Sequence, residues 1–108
     1  MKTQLLPGET LIKDGPANLQ RGIEAVGGRV HLTSQRLVFE SHAVNVQQGT
    51  TAIPLESITG VRKCWTRFLN LIPLVPNSIA VATKEGKEYR FVVFARQSWI
   101  DAIHGQQD

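Results

Sequence analysis

Reactive side chains do chemistry in company, and this chain gathers few of them. Asp101 and His104 stand three residues apart, so on a helix they share a face and have the types of an acid–base pair. No nucleophile is placed beside them, and a solvated surface pair is the ordinary outcome. Cys64 is the lone cysteine and sits beside Trp65 in an alternating stretch, which makes it a small core hydrophobe by default. His31 and His42 lack the further ligands that a tetrahedral zinc site needs. Gly27-Gly28 opens a strand rather than a helix, so it is not a phosphate-binding loop. The expectation is a chain with no catalytic residues, no metal site and no cofactor.

What remains is the chemistry of surfaces. The segment Thr66-Arg67-Phe68-Leu69-Asn70-Leu71-Ile72-Pro73-Leu74-Val75-Pro76 is strongly apolar, yet two prolines deny it a strand or helix period, so it reads as a loop. Phe68, Leu69, Leu71, Ile72, Leu74 and Val75 would form an apolar tip, and Arg62, Lys63 and Arg67 a basic collar before it. Exposed, such a tip suits self-association, another protein or a membrane; folded over the mouth of a barrel, it merely completes the core. Twelve Lys and Arg against nine Asp and Glu give a formal charge of +3, spread along the chain, which permits an anionic partner without demanding one. Phe39, Tyr89, Phe91 and Phe94 are the rings available to stack on a nucleic acid. Tyr89 and Phe91 share a strand face and read as core, which leaves Phe94 with Arg90 as a thin platform, so no nucleic-acid partner is expected.

The elements that must position these groups are mostly strands. From Gly28 to Ser41, Val30 and Leu32 alternate with Arg29 and His31, Thr33-Ser34-Gln35 makes a polar turn, and Leu37-Val38-Phe39 resumes with β-favouring residues. So short a linker forces an antiparallel hairpin. Before it, Glu9 to Lys13 starts a first strand, Asp14-Gly15-Pro16 should bend or bulge it, Ala17 to Gln20 resumes it, and Arg21 to Gly28 reads as a flexible connection. After it, His42 to Gly49 is a polar loop, and Thr50 to Leu55 is a strand that Pro54 places at an edge or near its end. Ile58 to Trp65 alternates again, and Ser78 to Thr83 and Glu88 to Phe94 flank a compact turn at Lys84-Glu85-Gly86-Lys87. Arg96 to His104 changes period: Trp99, Ile100 and Ile103 fall on one helical stripe, with Gly105 as a stop and no good N-cap side chain in view. Seven strands and one helix imply an antiparallel sheet closed or capped by that helix, whose buried side chains would contribute roughly 1.5–3 kcal/mol each.

Several of these segments carry a resemblance. Gly28 to Ser41 looks like the pattern "G-r-l-y-L-T-n-x-R-l-v-F-x-s" of GRAM domains, and Ile53-Pro54-Leu55-Glu56-Ser57-Ile58-Thr59-Gly60-Val61 is similar to the "iPl-x-x-I-x-x-V" step that follows it there. Lys84 to Phe91 resembles the family's final hairpin, and Trp99-Ile100 its terminal helix. The ordered set spans roughly residues 9 to 104. The resemblance implies a pleckstrin-homology-like fold: a bent seven-stranded antiparallel sheet or barrel capped by a C-terminal helix. It also implies a non-catalytic module that binds membrane lipids, often phosphoinositides, or protein segments. In phosphoinositide-binding members, basic residues of the first two strands and their loop cradle the headgroup; Lys13, Arg21 and Arg29 occupy that region here, and Arg36 begins the next strand. The family's basic-x-Arg pair is Arg29-Val30-His31 in this chain, and a histidine is mostly neutral at pH 7, which weakens the lipid reading.

The whole chain, residues 1–108, is therefore expected to be a single domain with its core at about 9–104. The expected function is binding to protein partners or self-association through the 68–76 loop or a sheet edge. Peripheral binding to anionic lipid or phosphoinositide headgroups is the alternative. One cysteine, no signal-peptide core and no apolar run of about 20 residues point to the cytoplasm, with the membrane surface as a peripheral site.

Overall fold

The computed structural model describes residues 1–21, 24–42, 50–64 and 78–107. Strands β1 (Leu11–Arg21), β2 (Glu24–Thr33), β3 (Arg36–Ser41), β4 (Thr50–Pro54), β5 (Ile58–Cys64), β6 (Ser78–Thr83) and β7 (Glu88–Val93) precede a helix, α1 (Arg96–Gly105). They form one seven-stranded sheet in the order β4-β3-β2-β1-β7-β6-β5. Each ladder is antiparallel, and the two meanders are joined where Ala17–Gln20 of β1 pairs with Val93–Arg90 of β7.

Alternation along these strands decides the core. Leu19, Val30, Leu32, Leu37, Phe39, Ile53, Ile79, Val81, Phe91 and Val93 point inward and are buried. Phe39 and Phe91 face each other at 6.0 Å between ring centroids, tying β3 to β7 across the bent sheet. The sheet does not close into a barrel: β4 and β5 stand at opposite ends of its order, joined in sequence by a 3-10 turn at Leu55–Ser57. The helix covers that side instead. Trp99, Ile100 and Ile103 are buried, α1 packs on β5 and β6, and the Trp99 indole reaches β1, where a Cβ on Gly15 would lie 3.5 Å from its Cζ2. The Gln107 amide donates to the carbonyls of Leu55 (3.4 Å) and Ile58 (3.1 Å), fastening the C-terminal segment to the turn. No side chain caps the helix, which begins from Ala95 in the left-handed region at φ 54°.

Three expectations need correction. Asp14-Gly15-Pro16 does not bulge the first strand; these residues run in continuous register with β2, and the register shift of β1 falls between Leu11 and Lys13. The reason is position: β7 pairs with β1 only from Ala17 onward, so Pro16 has no ladder on that side to spoil. Residues 24–28 are not a loose connection but the start of β2, paired along their length with β1. Gly28 is required there, since a Cβ would sit 2.2 Å from the Glu40 carbonyl oxygen and 2.8 Å from Phe39 Cζ. Thr33 belongs to β2, so the hairpin turn is the Ser34-Gln35 pair.

The outward face of the β2–β3 hairpin is also covered. Alternation places His31, Thr33, Arg36, Val38 and Glu40 on it, yet His31, Thr33, Val38 and Glu40 are buried. Residues 1–9 run back along β3 and cover them. Lys2 and Thr3 bond to Glu40, the Gln4 carbonyl accepts from Arg36, the Pro7 carbonyl accepts from Gln35, and Glu9 accepts from Thr33.

Candidate interaction site

The basic residues named from the sequence do not converge on a common cradle. Arg36 opens β3 and is only 15% exposed: its Nε donates to Glu9 Oε2 at 2.8 Å, and its Nη2 donates to Glu9 Oε1 at 3.1 Å and to the Gln4 carbonyl at 3.0 Å. The Glu9 carboxylate has no exposed surface, and its pKa is held down at about 2. The Arg36 guanidinium is the main cause; burial opposes it, and the Thr33 hydroxyl and Leu6 amide assist. Arg29 on β2 is 47% exposed and pairs with Asp14 of β1 at 3.0 Å. The Lys13 ammonium lies 5.2 Å above the Trp99 ring. Arg21 ends β1, and its side chain lies outside the described residues.

The apolar loop candidates Arg67, Phe68, Leu69, Leu71, Ile72, Leu74 and Val75 likewise lie outside the described residues. Their base is fixed, however. Cys64 at the end of β5 pairs with Ser78 at the start of β6, the two described residues that flank 65–77 in sequence. The β5–β6 hairpin supplies the edge strand β5, whose Arg62 and Lys63 are exposed, one on each face of the strand. Arg62 Nη2 and Arg90 Nε each donate to Glu88 at 3.0 Å. Ala80 stands between Arg62 and Arg90 in the ladders, and both guanidinium groups bond to the Glu88 carboxylate. The Arg90 hydrogen bond chiefly lowers the Glu88 pKa, against slight burial and with help from Arg62. Burial pushes the Cys64 thiol up, as suits a core residue rather than a nucleophile.

Two arrangements escaped sequence reasoning. The first is the Glu9–Arg36–Thr33 cluster, whose members lie up to 27 residues apart. The second surrounds Glu40, which receives the Lys2 amide at 3.0 Å, the Thr3 amide, and the Thr3 hydroxyl at 2.6 Å, and lies 3.2 Å from His31 Nε2. Burial alone would raise the Glu40 pKa; the bonds from Thr3 and Lys2 outweigh it and hold the value at about 2. One signal was present. Leu37-Val38-Phe39 is an unbroken apolar run, and in a strand such a run means that both faces are covered.

Where β1, β2 and β7 adjoin, Pro16, Asn18, Gly27, His42, Val92 and Phe94 are among the residues that line a shallow cavity of about 220 Å³, with Phe94 71% exposed. It is smaller than the roughly 300–1,000 Å³ of small-molecule sites.

Comparison with known proteins agrees with this geometry. The chain resembles the C-terminal domain of an unknown protein from Leishmania infantum, with a TM-score of 0.74, 20% identity, and coverage of 94% of this chain and 86% of that one. The N-terminal PH domain of Vps36 is similar at a TM-score of 0.66 and 20% identity, over 94% of this chain and 84% of that one. The N-terminal PH domain of human ARAP2 is similar at 0.65 and 17% identity, over 88% and 77%. None of the curated proteins matches the chain. The GRAM domain pattern matches residues 1–104. With a seven-stranded sheet and terminal helix of the pleckstrin-homology type and a family match over nearly its whole length, the chain belongs to the GRAM domain family, whose members generally bind proteins or lipids and catalyse nothing.

Proposed function

We propose that this GRAM domain is a protein-binding module that binds protein partners or self-associates through the edge of its β5–β6 hairpin or the apolar 68–76 segment. The observation that carries this reading is the state of the cations. Arg36 is locked into a buried pair with Glu9, and Arg29 is paired with Asp14, so a headgroup arriving at the first strands would have to displace carboxylates already in place. The β5 edge, by contrast, has no strand beside it in the sheet order among the described residues; the Ile58 and Cys64 carbonyls at its ends accept from Gln107 and Arg96, and an added strand would pair along the backbone between them. The module acts in the cytoplasm, and its partner is a protein segment or a second copy of the chain.

Light scattering over a concentration series tests this on the purified chain, alone and with Ile72→Asp. The expected result is a mass that rises above 12.0 kDa with concentration in the parent and stays there in the variant. A parent that remains monomeric while binding anionic vesicles in a salt-sensitive way would replace this reading with peripheral lipid binding through Lys13, Arg21, Arg29 and Arg36.

A further inference from the structure

We propose that residues 1–6 form a pH-gated strap over the β2–β3 hairpin, with His31 as its sensor and Glu40 as its latch. His31 is 2% exposed, and neither ring nitrogen makes a hydrogen bond. A buried group left in that condition is destabilising, so opening the cover over it recovers part of its hydration. The groups facing the ring come from every element around it. Glu40 of β3 lies 3.2 Å from Nε2, Asp14 of β1 lies 3.8 Å from Nδ1, and Arg29 of β2 and the amino group of Met1 add positive charge.

The latch and the sensor share an atom. Glu40 Oε1 accepts the Lys2 amide and is also the oxygen nearest His31 Nε2, while Oε2 accepts the amide and hydroxyl of Thr3. Neutral His31 leaves these bonds undisturbed. Protonated His31 becomes a charged donor at both nitrogens, competes with Lys2 for Oε1, and draws water to a site that the strap keeps dry.

The direction follows from linkage. In the closed state burial lowers the His31 pKa, against the pull of Glu40 and Asp14, so the closed form binds the proton less well than the open form. Closure is therefore fully favoured above the ordinary histidine value of about 6.5 and is lost as pH falls below it. Glu40, at about 2, and Glu9, at about 2, stay ionised through this window, so His31 responds first. The hinge lies at Leu6–Gly8: the Leu6 amide is anchored on Glu9 at 2.7 Å, the Glu9 amide returns to the Leu6 carbonyl, and Gly8 turns the chain at φ 76°. Opening uncovers Val38, His31 and Glu40, a face of the domain that is closed at neutral pH.

The test is a proton NMR titration of the full chain from about pH 7.5 to about pH 5, following His31 Hε1 and the Thr3 amide. The expected result is one shared midpoint below about 6.5, at which the Thr3 amide moves to its random-coil position while core signals of Leu19 and Phe91 hold still. His31→Gln is expected to keep the strap closed throughout. Thr3→Ala, a change in the tail that leaves the core untouched, weakens the latch and moves the shared midpoint up toward 6.5. His31 titrating without movement at Thr3, neither group responding down to about pH 5, or an unchanged midpoint in Thr3→Ala would each overturn the proposal.

Discussion

A carboxylate sealed beneath a guanidinium is stable only while both are charged, and Glu9 with Arg36 is such a pair. Removing one partner leaves the other buried and uncompensated, so Arg36→Ala should lower stability by about 3–5 kcal/mol in chemical denaturation. Replacing Glu9 and Arg36 together with apolar residues of similar volume should recover most of that loss, because the cost lies in the orphaned charge rather than in the missing attraction. Acid should act through the same residues. Glu9 and Glu40 both have folded pKa values of about 2, below the ordinary 4.5. A depressed carboxylate stabilises the fold fully above its unfolded value and ceases to as pH falls through its folded one. The urea midpoint should thus fall steadily from pH 4.5 toward pH 2, and Glu40→Gln should flatten part of that slope. Gly28 sets a third test. Its missing Cβ lets the Glu40 carbonyl approach to a distance no side chain would permit, so Gly28→Ala should lower the thermal midpoint, with a cost of at least about 1–3 kcal/mol from the forced shift of β3.

At the scale of elements, the helix substitutes for the missing ladder between β4 and β5. Trp99 reaches from α1 to β1 while Gln107 ties the chain end to the Leu55–Ser57 turn, so losing either end of α1 should open the core. Trp99→Ala should cost about 3–5 kcal/mol, and a chain ending before Arg96 should lose its native circular dichroism and its cooperative melt. These elements were largely legible in advance. Period-two alternation gave the β2–β3 hairpin, and the Trp99, Ile100 and Ile103 stripe gave α1. Where the reading failed, a long-range neighbour decided the outcome. Pro16 is tolerated because β7 happens to end its pairing at Ala17, and Gly27 and Gly28 lie in a strand because β1 supplies partners for them. The covering of His31 and Val38 by residues 1–9 could not be read locally, since its contacts join positions as far as 38 residues apart. Only the unbroken Leu37-Val38-Phe39 run hinted at it.

For the whole molecule, the charge of +3 says less than how the charges are used. Arg29, Arg36, Arg62 and Arg90 each face a carboxylate within the domain, at distances of 2.8–3.0 Å. Exposed pairs such as Arg29–Asp14 are individually weak, at about 0–1 kcal/mol, but each sets a carboxylate beside a cation that a membrane would otherwise meet alone. Membership of the family and the pleckstrin-homology fold leave the partner open, so the partner must be sought from surfaces. Here the terminal hairpin ends the sheet order at β5 among the described residues, and the apolar segment follows β5 in sequence. Co-sedimentation with anionic vesicles across a salt series is the most direct test of that account. The account predicts that the chain stays in the supernatant at a Debye length of about 10 Å and below, with Ile72→Asp affecting only its self-association. Salt-sensitive pelleting that survives Ile72→Asp and disappears in Lys13→Ala or Arg29→Ala would contradict it.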